Sequence, residues 1–137
     1  MQANWWLVLT AQSFLAPVIA SYIKECYITT AIYTFIWLTS MYHHTSYTPF
    51  SHFIDKSAIF MVIIHGPFDA WYAGFPGFIL MCAAYGYSWF AYVHGSHHSA
   101  YCYSQNKLVS TVFHGGLHVL PSLFHVVLLM LYDSGVS

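Results

Sequence analysis

NWWLVLTAQSFLAPVIASY, residues 4–22, contains no charged side chain, and the uncharged stretch extends outward to residues 1–23. At about 1.5 Å of helix rise per residue, such a run crosses a hydrocarbon core of ~30 Å. A cleaved signal peptide is the competing reading. It calls for a charged leading segment, which is missing here, and it leaves the further apolar runs downstream unexplained.

Those runs follow one another closely. Lys24 and Glu25 form a short polar turn, and residues 26–43 are again free of charge. Residues 45–51, with Pro49 inside, read as a loop at the opposite face. A third helix is expected over residues 53–72, with Asp55 and Lys56 in its first turn and Gly66-Pro67 breaking or kinking it. Residues 75–93 form a fourth run in which Gly77 and Gly86 allow close helix contact. Residues 94–107 are polar and read as a loop, residues 108–132 are the fifth and longest run, and residues 133–137 are a tail.

Composition agrees with this reading. Of 137 residues, 58% are apolar, 20% aromatic and only 5% charged, with a net charge of −1. A water-soluble domain carries about a quarter of its residues as charges. The expectation is therefore an integral membrane protein: an all-α, polytopic transmembrane bundle of about five spans in a single domain. Disorder is excluded by the apolar content. Nucleic-acid binding is excluded because Lys24, Lys56 and Lys107 stand far apart and there is no arginine. Cys26, Cys82 and Cys102 are odd in number and widely spaced, which suits neither a disulfide framework nor a thiolate metal site.

Histidine is the anomaly, with ten copies against seven Lys, Asp and Glu together. His114 and His118 are four apart on the fifth helix, so they share a face about one turn apart and can grip one metal ion. His94 and His98 have the same spacing, so spacing alone does not decide for a metal. Depth adds to the case. If the helices alternate in direction, the ends carrying His44, Asp55 and His114 all lie toward the membrane face opposite Lys24. His44 can then supply a third nitrogen at a Zn–N distance of ~2.0–2.1 Å, leaving an open coordination position. Asp55 opens its helix, where the dipole favours a carboxylate. It either accepts a proton from water at the metal or serves as a capping charge paired with Lys56. Ser40 lies one turn before His44 and either reaches the same pocket or bonds its own helix backbone. Lys56, Lys107 and the N-terminus share the His44 side, which the positive-inside rule would place in the cytosol or its equivalent.

The run from Ser40 to His44 (SMYHH), Asp55 further on, and FHGGLH at residues 113–118 together resemble the CREST superfamily, which includes alkaline ceramidases and the adiponectin receptors with their haemolysin III relatives. The Ser-to-His and His-to-Asp spacings, and the closing HGGLHVLPSLFHVVLLMLY, are most similar to alkaline ceramidases. FIDKSAIF at residues 53–60 is closer to haemolysin III. The resemblance covers residues 37–68 and 108–132. It implies that His44, His114 and His118 bind Zn²⁺, that Asp55 holds or deprotonates the water, and that Ser40 supports the developing oxyanion. The substrate it implies is a membrane lipid with a ceramide-like amide or an ester. The departure is length, since about five spans stand where the family has seven. Loss of an even number of helices between the Asp helix and the last one keeps the histidines on one side.

Two other readings stay open: a non-catalytic subunit derived from such an enzyme within a larger membrane assembly, and a haem- or quinone-associated anchor. The second would use His65 and His125, which helical rise places at one level, although a hydrogen-bonded structural pair accounts for them equally. His43, His52, His94, His97 and His98 fall in or beside the loops and read as interfacial residues, with extra ligation or proton relay as their functional alternative.

Overall fold

The computed structural model describes residues 4–132. Five helices follow one another: α1 (Trp5–Ile23, tightened to a 3₁₀ turn at Gln12–Phe14), α2 (Tyr27–Ser46), α3 (Pro49–Tyr72), α4 (residues 74–98) and α5 (Lys107–Met130). A 3₁₀ turn at Tyr101–Tyr103 bridges the last two, and no strand occurs among the described residues. Two helices, Trp5–Ile23 and Lys107–Met130, are long and apolar enough to cross a membrane.

The helix ends follow local chemistry. Asn4 Oδ1 caps α1 by accepting from Leu7 N, and Asn106 Oδ1 caps α5 by accepting from Leu108 N and Val109 N. At the start of α3, Thr48 and Ser51 form a reciprocal capping box with Pro49 in the first turn, where its missing N–H costs nothing. Glu25, Tyr47 and Ser99 each take a left-handed conformation just beyond a helix and stop it.

Four sequence expectations change. Helix α2 runs to Ser46 and α3 begins at Pro49, so the expected loop at residues 45–51 shrinks to Tyr47 and Thr48, and Asp55 and Lys56 lie in the second turn of α3, past the end where the dipole acts. The fourth helix runs past the apolar segment to His98, through a π-helical stretch at Trp89–His94, so the first part of the expected 94–107 loop is helical. The third helix is not broken at Gly66-Pro67 but continues to Tyr72. Proline has no N–H for the carbonyl four residues back, here Ile63. Tyr85 of α4 donates its hydroxyl to that carbonyl at 2.7 Å. The bare Gly66 leaves room for the phenol, since a Cβ there would collide with it. Finally, Gly77 does sit against Ala70 and Ala73, whereas Gly86 has nothing within 4 Å and makes no close contact. The 133–137 tail lies outside the described residues.

Two apolar clusters hold the bundle. Ala11, Phe14, Tyr33, Ile36 and Ala58 join α1, α2 and α3. Ala70, Ala73 and Leu128 join the end of α3 to α5. Helix directions alternate, so the start of α1 meets the end of α2, with Asn4 N donating to His44 O. Helix α5 packs against α1 and α4 and touches α3, and it reaches α2 through side chains, His118 to His44. On it His114, His118 and His125 fall within about 40° of one another at 100° per residue, a single polar stripe on an apolar rod.

Candidate metal centre

The last turn of α2 and the middle of α5 bring three imidazoles together. Ring centres of His44 and His114 are 5.1 Å apart, those of His44 and His118 5.1 Å, and those of His114 and His118 5.3 Å. One nitrogen from each lies within 4.8 Å of the other two, and the group is buried enough to hold a metal ion. Tetrahedral coordination at ~2.0–2.1 Å puts neighbouring nitrogens about 3.3–3.4 Å apart. The Nε2 atoms of His44 and His118 are separated by 3.3 Å.

Helix α1 fixes which nitrogen of His118 is free. Thr10 Oγ1 has one hydrogen and donates it to Leu7 O at 3.1 Å. It therefore accepts from His118 Nδ1–H, 3.0 Å away, and the Nε2 lone pair is left facing His44. Two glycines make this approach possible. A Cβ at Gly115 would come within 3.1 Å of Thr10 Cγ2, and one at Gly116 would collide with the Tyr87 hydroxyl. The bare face of HGGLH thus admits α1 on one side and α4 on the other.

Ser40 and Asp55 are both buried and line one cavity of about 480 Å³ together with His114 and His118. Asp55 Oδ1 has no hydrogen-bond partner among the described residues. A buried, bare carboxylate oxygen needs a donor, and water or a ligand group entering from the cavity would supply one. The alternative pairing with Lys56 is not seen. Lys56 Nζ lies instead over the Tyr92 ring, 3.9 Å from its centre, and no salt bridge joins Asp55 to a cation among the described residues. His43 stands beside the group, with its ring 5.2 Å from that of His44 and its Nδ1 3.2 Å from Ser51 Oγ. His94 stacks on Phe90 and sits against His98.

The opposite end of the bundle holds a second polar cluster whose centre, Asp69, is not singled out by the sequence reading. Asp69 is buried on the last turn of α3. It accepts from Tyr132 Oη and from Thr29 Oγ1, the latter at 3.1 and 3.2 Å to its two oxygens. His65 and His125 both approach this carboxylate, with Nε2 at 3.5 Å from Oδ1 and 3.0 Å from Oδ2. The two histidines are therefore level, as helical rise suggests, but each faces Asp69. The available signal was the spacing of His65 and Asp69, four apart inside an apolar helix.

Compared with protein family models, curated proteins and solved structures, the chain finds no match.

Proposed function

We propose that this chain is an integral membrane protein, a shortened member of the CREST superfamily, whose five helices cross the bilayer. Its proposed activity is zinc-dependent hydrolysis of an amide or ester bond in a membrane lipid. The observation that carries this reading is the convergence of three imidazoles from two helices, His44 from α2 and His114 and His118 from α5, with Thr10 fixing the tautomer of His118. The bilayer reading is supported by the bundle's outer surface, where Trp5, Ile28, Trp71, Phe75, Leu108 and Met130 are all exposed. Water is a poor solvent for so many exposed large apolar side chains.

His44, His114 and His118 would hold the zinc ion. Bound there, zinc would polarise a carbonyl and acidify water at its open position. Asp55 takes the proton from water as its oxygen bonds to the carbonyl carbon, and returns it to the leaving nitrogen or oxygen as the bond between that atom and the carbonyl carbon breaks. Ser40 donates its hydroxyl to the carbonyl oxygen while negative charge builds on it. The apolar cavity walls accept the lipid chain.

The test is elemental analysis of protein purified in detergent, followed by assay of fatty-acid release from ceramide and from an ester lipid. About one zinc per chain, lost in His118→Ala, together with turnover, is the expected result. Zinc without turnover on any lipid refutes the hydrolase and leaves the histidines as a structural clamp within a larger assembly. Absence of zinc refutes the hydrolase.

A further inference from the structure

The cavity beside the histidine triad has a second polar end. Its walls are mostly aliphatic and aromatic, from Ile36 and Ile59 to Leu80, Met81 and Phe124. At the end away from Ser40 and Asp55 it is lined by Tyr33, His125 and Leu128. His125 and His118 are seven residues apart on α5, two turns on one face, which separates them by about 10.5 Å along the axis.

His125 is held but not satisfied. Tyr33 packs on its ring at 4.6 Å between centres, and Asp69 Oδ2 lies 3.0 Å from Nε2. That nitrogen nevertheless has no hydrogen-bond partner among the described residues, although the side chain is only 7% exposed. The carboxylate beside it is held from behind by Tyr132 and Thr29. A buried imidazole with spare hydrogen-bonding capacity, fixed against an anchored carboxylate, is poorly matched to the methyl end of an alkyl chain. A hydroxyl can both donate and accept, and it fits.

We infer that His125, held by Asp69 behind it, forms a hydroxyl-binding subsite, so that the cavity selects an acyl chain bearing a hydroxyl about 10 Å from the group at the histidine triad. This deepens the lipid reading and rests on the triad as the site that takes the carboxyl or carbonyl end. At about 1.25 Å of advance per C–C bond of ~1.5 Å, that distance corresponds to eight or nine bonds. A hydroxyl near the tenth carbon would reach the subsite.

The probes are decanoate, 10-hydroxydecanoate and 3-hydroxydecanoate. Each is titrated calorimetrically into the protein in lipid nanodiscs, with and without zinc, and corrected for partition into protein-free nanodiscs. The expected result is about tenfold tighter binding of 10-hydroxydecanoate than of decanoate, the effect of one hydrogen bond in a dry site, with no gain for the 3-hydroxy acid. In His125→Phe, which keeps a ring against Tyr33, the preference falls to near unity. Equal binding of the three acids, no binding of any, or a preference unchanged in His125→Phe would overturn the inference. A preserved tenfold preference with zinc making no difference to any acid would support the subsite and refute the triad as the carboxylate end.

Discussion

Thr10→Val tests how the metal centre is held. The hydroxyl of Thr10 receives the Nδ1–H of His118 at 3.0 Å and passes its own hydrogen to Leu7 O at 3.1 Å. Valine has nearly the same shape and keeps the contact of Cγ2 with the Gly115 face, so the packing of α1 on α5 is retained. What is lost is the one acceptor that sets the tautomer of His118. Loss of such an outer partner typically lowers metal affinity by about 10–100-fold, or about 1.4–2.8 kcal/mol. The assay is competition for zinc against a chelator of known affinity, on protein in detergent, with Thr10→Ser and His118→Asn alongside. Serine should restore most of the affinity, and His118→Asn should abolish stoichiometric binding. If Thr10→Val binds zinc as tightly as the unsubstituted protein, the hydroxyl does not orient the ring and the reasoning from the hydrogen-bond chain is wrong.

Asp55→Asn should keep zinc at close to one per chain while lowering lipid hydrolysis by about 10²–10⁴-fold; a fall in zinc content equal to the fall in rate would make Asp55 a ligand instead of a base. Gly66→Ala drives a methyl group into Tyr85 and uncovers the Ile63 carbonyl, which should cost about 1–3 kcal/mol and lower the thermal midpoint measured in detergent. An unchanged midpoint would show that the carbonyl finds another donor. Burial pushes the Cys102 thiol, in the turn between α4 and α5, up to about 11. Only about one molecule in a thousand is then thiolate at pH 8, so iodoacetamide labelling there should be slow and rise about tenfold per pH unit below 11. Rapid labelling at neutral pH would contradict the burial.

The helices were readable because each is a nearly unbroken apolar run and the short polar turns between them leave little choice. Their ends were less so. His94 to His98 looks polar enough for a loop, yet the backbone stays helical until Ser99 turns left-handed. The histidine triad could be anticipated because alternating helices must bring His44 and His114 to one end, and depth is a one-dimensional quantity that counting residues supplies. Lateral partners are not. Nothing in local sequence says that Thr10 faces His118 or that Tyr85 crosses to Ile63, because those contacts depend on which helix faces which. Asp69 illustrates both cases. Its depth and its histidine one turn earlier were available, whereas Thr29 reaches it from α2 and Tyr132 from just beyond the end of α5.

Helix α5 presents His114 and His118 to one end of the bundle and His125 to the other, all along one narrow line. The two centres are therefore mounted on a common shaft. A turn of one residue position, about 100°, would withdraw all three side chains at once. Substitutions that loosen the grip of Gly115 and Gly116 on their neighbours should then impair both ends in proportion, wherever along the shaft they fall.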